Sequence, residues 1–270
     1  MRRIIESAVG KTGAAIARLV EPRPGEVSAQ RDQPDRAAFT RYPTRRALRL
    51  TPLADPEPVR LSVLERQLLE SRVTQRGYAL VPRYMDPGLE GTLVVREVDR
   101  VIFEIERTDS ADQTTMSVVE ATRSLRVRIW ESLWEDTSPD LGGDKVNVTS
   151  IFGFAYAGVL FAWRFYSASG VGRFQLGLGL TSPLGRALTI DPARFTGFFR
   201  SYRATSASDL WVSRDLQTAS LTLQADRANV AQDLASELLE YWGWHANDDQ
   251  IIRQLAAARQ NLDDDPDPPP

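Results

Sequence analysis

Large apolar residues fall on every second position of two neighbouring runs. The first holds Val159, Phe161, Trp163 and Phe165, and the second holds Phe174, Leu176, Leu178 and Leu180. Successive side chains on a strand point to opposite faces, so this period of two, broken by a glycine-containing SASGVG, predicts a long aromatic antiparallel hairpin. Gly158 sits where the alternation changes phase, which suits a bulge, and Gly177 and Gly179 leave the opposite face of the second strand bare.

Helical spacing appears elsewhere. Leu64, Leu68, Leu69 and Val73 mark one face behind the capping-box pattern Ser62–Glu65, with Gly77 as a stop. Strands are predicted at Tyr78–Tyr84, Thr92–Glu97 and Val101–Arg107. A second helix is predicted after Ser110–Gln113, with Val118, Thr122, Leu125, Ile129 and Leu133 as its stripe. Leu210–Val212 and Ser220–Gln224 suit short strands. Asn229–Trp242 suits a helix with Leu234, Leu238 and Tyr241 inward, and a capped terminal helix follows from Asn247. These elements predict an α+β fold, a mostly antiparallel sheet with a long aromatic β-hairpin, covered by helices on one side.

Residues 1–60 stand apart. A weak helical pattern over 1–20 gives way to seven prolines among charges over 21–60, the composition of a linker or extended arm. The expected organisation is an arm over 1–60, a globular domain over 61–245, and a terminal helix with a disordered acidic tail over 246–270.

Composition narrows the chemistry. There is no cysteine and one histidine in 270 residues, so disulfides, thiolate nucleophiles and multi-histidine metal sites are excluded within one chain. The net charge of −3 is uneven: residues 1–60 carry +5 and residues 226–270 carry −7. Within the uncharged stretch between Lys145 and Arg164, the apolar run Ile151–Trp163 has thirteen residues, too short to span a bilayer as a helix. No secretory signal is visible, so a cytoplasmic protein is expected, and the dominance of arginine over lysine suits a GC-rich bacterial genome.

Few motifs carry chemistry. Gly10-Lys11-Thr12 lacks the earlier glycine and the preceding strand that a phosphate loop needs. His245 follows Trp242-Gly-Trp244 with no nucleophile motif to serve, which suits a structural histidine. Glu104 and Glu106 alternate along one predicted strand, and Glu90 opens an adjacent one. Carboxylates so gathered hold Mg²⁺ for phosphodiester hydrolysis.

A helix, two carboxylate-bearing strands and a second helix resemble the core of the PD-(D/E)XK nuclease family over residues 61–135. The resemblance implies Glu90 and Glu104 as ligands of Mg²⁺, Glu104 and Glu106 as the catalytic carboxylates, and Gln113 as an auxiliary. Glu106 stands where that family has lysine. The order helix, three strands, helix, two strands, helix is also similar to that of secretion-chaperone-like binding domains, a likeness of topology alone.

The sequence therefore predicts a non-catalytic protein-binding or assembly module, needing no cofactor, with residues 1–60 as a docking arm. Trp163, Phe165, Trp211, Trp242 and Trp244 are the candidate contact residues. The alternative is a nuclease-like domain. The arginines of the arm (Arg31, Arg36, Arg41, Arg45, Arg46 and Arg49) offer phosphate contacts to nucleic acid.

Overall fold

The computed structural model describes residues 44–75, 78–79, 92–108, 114–133, 145–189 and 209–245, with a few isolated positions besides. The chain divides into two compact units, Met1–Arg41 and Tyr42–Pro270, and the first lies outside the described residues. The division falls well before Val59–Leu61, where the sequence places it, because Arg45–Pro52 is a strand, β1.

β1 is followed by α1 (Leu61–Glu70) and a small hairpin of β2 (Thr74–Gln75) and β3 (Tyr78–Ala79). A four-strand meander comes next: β4 (Thr92–Arg96), β5 (Arg100–Thr108), β6 (Thr114–Thr122) and β7 (Val127–Ser132). Then come β8 (Lys145–Asn147), α2 (Val148–Ser169), β9 (Arg173–Thr181), β10 (Ala187–Thr189) and β11 (Leu210–Gln217). A 3₁₀ turn, Thr218–Leu221, leads into α3 (Gln224–Glu240). The seven long strands form one sheet in the order β11-β9-β1-β7-β6-β5-β4, antiparallel at every step. Among the described residues all three helices pack against one face of it, so the α+β class and the one-sided helical cover stand as expected.

The aromatic hairpin does not exist. Its first limb is α2, a helix of 22 residues of which 15 are buried. A helix covered on all sides carries no amphipathic stripe, so its many apolar residues matched a strand period by chance. Its boundaries are nevertheless written in the sequence. The Asn147 side chain accepts from the backbone N–H of Ser150, and Gly170 takes the left-handed conformation at φ 70° that ends the helix. Gly158 is no bulge but a close approach: a β-carbon there would lie 2.6 Å from Leu48 Cδ1. By length and composition α2 could cross a membrane, with mean hydropathy 1.4, but 78% of that window is buried inside the fold.

The helix expected after Ser110 is likewise replaced, by β6 and β7. Thr114, Thr115, Val118, Val119 and Thr122 are β-branched residues, which favour a pleated surface. Both faces of this hairpin are buried at Val118, Val119, Ile129 and Trp130, which blurs the period of two. Smaller corrections follow. Arg60, not Ser62, stands at the N-cap of α1, with no side-chain cap, and Glu65 binds Arg96 instead of closing a capping box. Ser220–Gln224 is the 3₁₀ turn and the entry to α3 in place of a strand, and Tyr241 is exposed where an inward position is expected.

Strand alternation sends Leu48 and Leu50 of β1, Val101 and Phe103 of β5, and Leu176 and Leu178 of β9 into the helical core. Arg46 shares that face. It is 9% exposed, gives hydrogen bonds to the Ser150 carbonyl and hydroxyl, pairs with Glu131 at 2.8 Å and lies over the Phe154 ring.

Candidate functional site

The sheet face away from the helices is built from the alternate residues. One row across it runs Trp211, Gly179, Ala47, Trp130, Val118 and Glu104, and the next runs Ser213, Gly177, Arg49, Arg128, Glu120 and Ile102. Trp211 uses the bare glycine beside it. Its ring lies over β9 so closely that a β-carbon on Gly179 would meet ring atoms at 2.6 Å. The Arg49 guanidinium covers the same ring, 3.9 Å from its centroid. Trp211 is thus fixed between backbone and cation, yet remains half-buried.

At the end of the meander is a cleft of about 480 Å³. Arg123, Arg126 and Arg128 line it, with the carboxylates Asp99 and Glu120 and the hydroxyls of Thr122 and Ser124. The β6–β7 turn that frames it is tied down at every residue. Thr122 and Arg126 close the ladder, and the Leu125 N–H donates to the Thr122 carbonyl at 2.9 Å. Arg123 donates from its backbone to Asp99 and from Nε to Val59, whose own N–H donates back to the Arg123 carbonyl. Leu125 is left-handed at φ 59° with its side chain 1% exposed, and the buried Tyr166 hydroxyl donates to its carbonyl at 3.0 Å. Burial pushes the Tyr166 hydroxyl pKa up, which keeps it a donor.

Charge in the cleft is partly matched. Arg100 donates to Glu97 at 2.6 Å and to Glu120 at 3.0 Å. The Glu97 hydrogen bond, then Glu120, hold its pKa up against partial burial. At the far end of the sheet burial lowers the Arg45 pKa, with nearby Asp209 opposing. In the loop after β7 burial raises the Asp136 carboxyl against the pull of Arg186.

The candidate contact aromatics separate by burial. Phe165, Trp242 and Trp244 are buried in the core, the last edge-on to Phe152. Trp163 is half-buried under the Arg227 guanidinium at 4.4 Å, and Trp211 alone of the five stands on the helix-free face. Of the arm arginines, Arg45 and Arg46 are buried in the sheet and Arg49 covers Trp211. Arg31, Arg36 and Arg41 lie outside the described residues, so the phosphate-contact expectation loses half its residues to structural roles.

The carboxylates fare differently. Glu104 is half-buried on β5 opposite Val118, and Glu106 pairs with Met116 in the same ladder. Glu90 and Gln113 lie outside the described residues. Among the described residues no three metal-ligating side chains gather. The second helix that carries the nuclease resemblance is absent, since β6 and β7 occupy its place.

The turn arginines escape sequence reading because the segment looks helical. The alternation of Val127, Ile129 and Glu131 against Arg128 and Trp130, after the β-branched run, is the signal that marks a hairpin there. Comparison with protein families, curated proteins and solved structures finds no match.

Proposed function

We propose that this chain is a non-catalytic protein-binding or assembly module whose contact surface comprises the β11 edge around Trp211 and Ser213 and the cleft at the β6–β7 turn. The observation that carries the reading is Trp211, locked flat between Gly179 and Arg49 yet only partly buried, on the same face as an arginine-lined cleft. Tryptophan and arginine dominate binding energy at interfaces, and side chains already fixed in place lose little entropy when a partner arrives. The docking arm of this reading is shorter than the sequence suggests, because Arg45–Pro52 is a strand of the sheet.

A photo-cross-linking side chain at Ser213, exposed beside Gly177 and Trp211, tests the surface. The control places the same group at Ser167, exposed at the end of α2. The expected outcome is one stoichiometric adduct from Ser213, reconstituted with the purified partner and absent from Ser167. Equal labelling from both positions, or none from Ser213, overturns the proposal. Loss of the adduct on removal of residues 1–43 supports the arm.

A further inference from the structure

We infer that the cleft at the β6–β7 turn receives an acidic peptide segment, a short run of aspartate or glutamate side chains. The inference rests on the protein-binding reading and names the chemistry that is bound.

The guanidiniums are available. Among the described residues Arg123 spends only Nε, on the Val59 carbonyl, and the one ion pair of Arg126 is with Asp55 at 4.0 Å, whose side chain is 99% exposed. Against them, Glu120 is already matched by Arg100, which leaves Asp99 as the opposing carboxylate. The Thr122 and Ser124 hydroxyls share one hydrogen bond at 2.9 Å. Either hydroxyl can donate in that bond, and both oxygens can accept. A polar, arginine-rich lining does not suit an apolar ligand. Asp99 and Glu120 disfavour a doubly charged phosphate more than single carboxylates spaced along a peptide, each meeting one guanidinium.

The second observation is the backbone. A turn of this shape normally has glycine or asparagine at its left-handed position, and leucine there is strained. Leu125 accepts that strain while its side chain is buried in the core and its carbonyl is held by Tyr166. The strained, anchored turn fixes the backbone of Arg123, Ser124 and Arg126 before anything binds, so the three side chains leave from set positions.

The chain itself ends in such a segment, NLDDDPDPPP at 261–270. This peptide, fluorescently labelled, is the probe, and NLNNNPNPPP is its control. Anisotropy is measured at low salt on the full chain, on the full chain carrying Arg123→Gln and Arg126→Gln, and on the full chain with Asp263, Asp264, Asp265 and Asp267 changed to Asn. The expected result is binding that weakens with salt, is absent for the control peptide, and falls tenfold or more in the arginine double variant. A cooperative melting transition and a native far-ultraviolet circular dichroism spectrum show that this variant is folded. Tighter binding by the tail-neutralised chain assigns the cleft to this chain's own acidic end, and unchanged binding assigns it to a separate protein. Binding of the control peptide, equal binding by the double variant, or no binding by either the native or the tail-neutralised chain overturns the inference. If the Ser213 adduct survives that failure, the binding surface stands and only its chemistry falls.

Discussion

Gly177 and Gly179 stand two residues apart on one strand, yet a methyl group added at each meets different surroundings. At Gly179 it would strike the Trp211 ring at 2.6 Å, whereas at Gly177 its nearest neighbour is Arg49 Cβ at 3.6 Å, an ordinary contact. Gly179→Ala should cost about 1–3 kcal/mol and red-shift tryptophan emission as the ring lifts away from Arg49. Gly177→Ala should be neutral or slightly stabilising, since a glycine in a strand interior costs about 0.5–1 kcal/mol. Denaturant melts with fluorescence detection measure both. Leu125 offers a sharper reversal. Leu125→Ala and Leu125→Gly both lose the buried side chain, but only glycine relieves the strain at φ 59°. The glycine variant should be the more stable of the two by about 1 kcal/mol, the opposite of the order at an ordinary φ.

The elements show how a period misleads when burial is complete. α1 and α3 have one wet side, and the stripes Leu64–Leu68 and Leu234–Leu238 are legible in the sequence. α2 has no wet side over most of its length, and β6 and β7 are buried on both faces. In each the spacing of apolar residues stops reporting the secondary structure. The cap signals survive because they answer to the backbone: Asn147 and Gly170 bound α2 correctly. α2 also crosses β1 so closely that Gly158 fixes the contact with Leu48. Gly158→Ala should destabilise by about 1 kcal/mol, because overpacking outweighs the gain in helix propensity. In a Leu48→Ala background the same change should stabilise by up to about 1 kcal/mol. A double-mutant cycle read by thermal melts checks the coupling.

For the molecule, β1 is the keystone. It pairs β7 on one side and β9 on the other, so it joins the meander to the β9–β11 ribbon. A chain lacking residues 1–43 should retain a cooperative unfolding transition, while one lacking 1–60 should lose it, as circular dichroism on heating will show. The sequence alone determined the α+β class, the antiparallel sheet with one-sided helices, and the absence of cysteine chemistry, because these follow from composition and from elements with one exposed face. It also located β4, β5 and β9 and the helices α1 and α3. Only the tertiary structure decided that Arg45–Pro52 is a central strand, that α2 is a helix, and that Arg123, Arg126 and Arg128 share a cleft. The physical reason is common to all three. Each depends on which other segment covers a stretch of chain, and local spacing records a side chain's own environment only when water remains on one side of it.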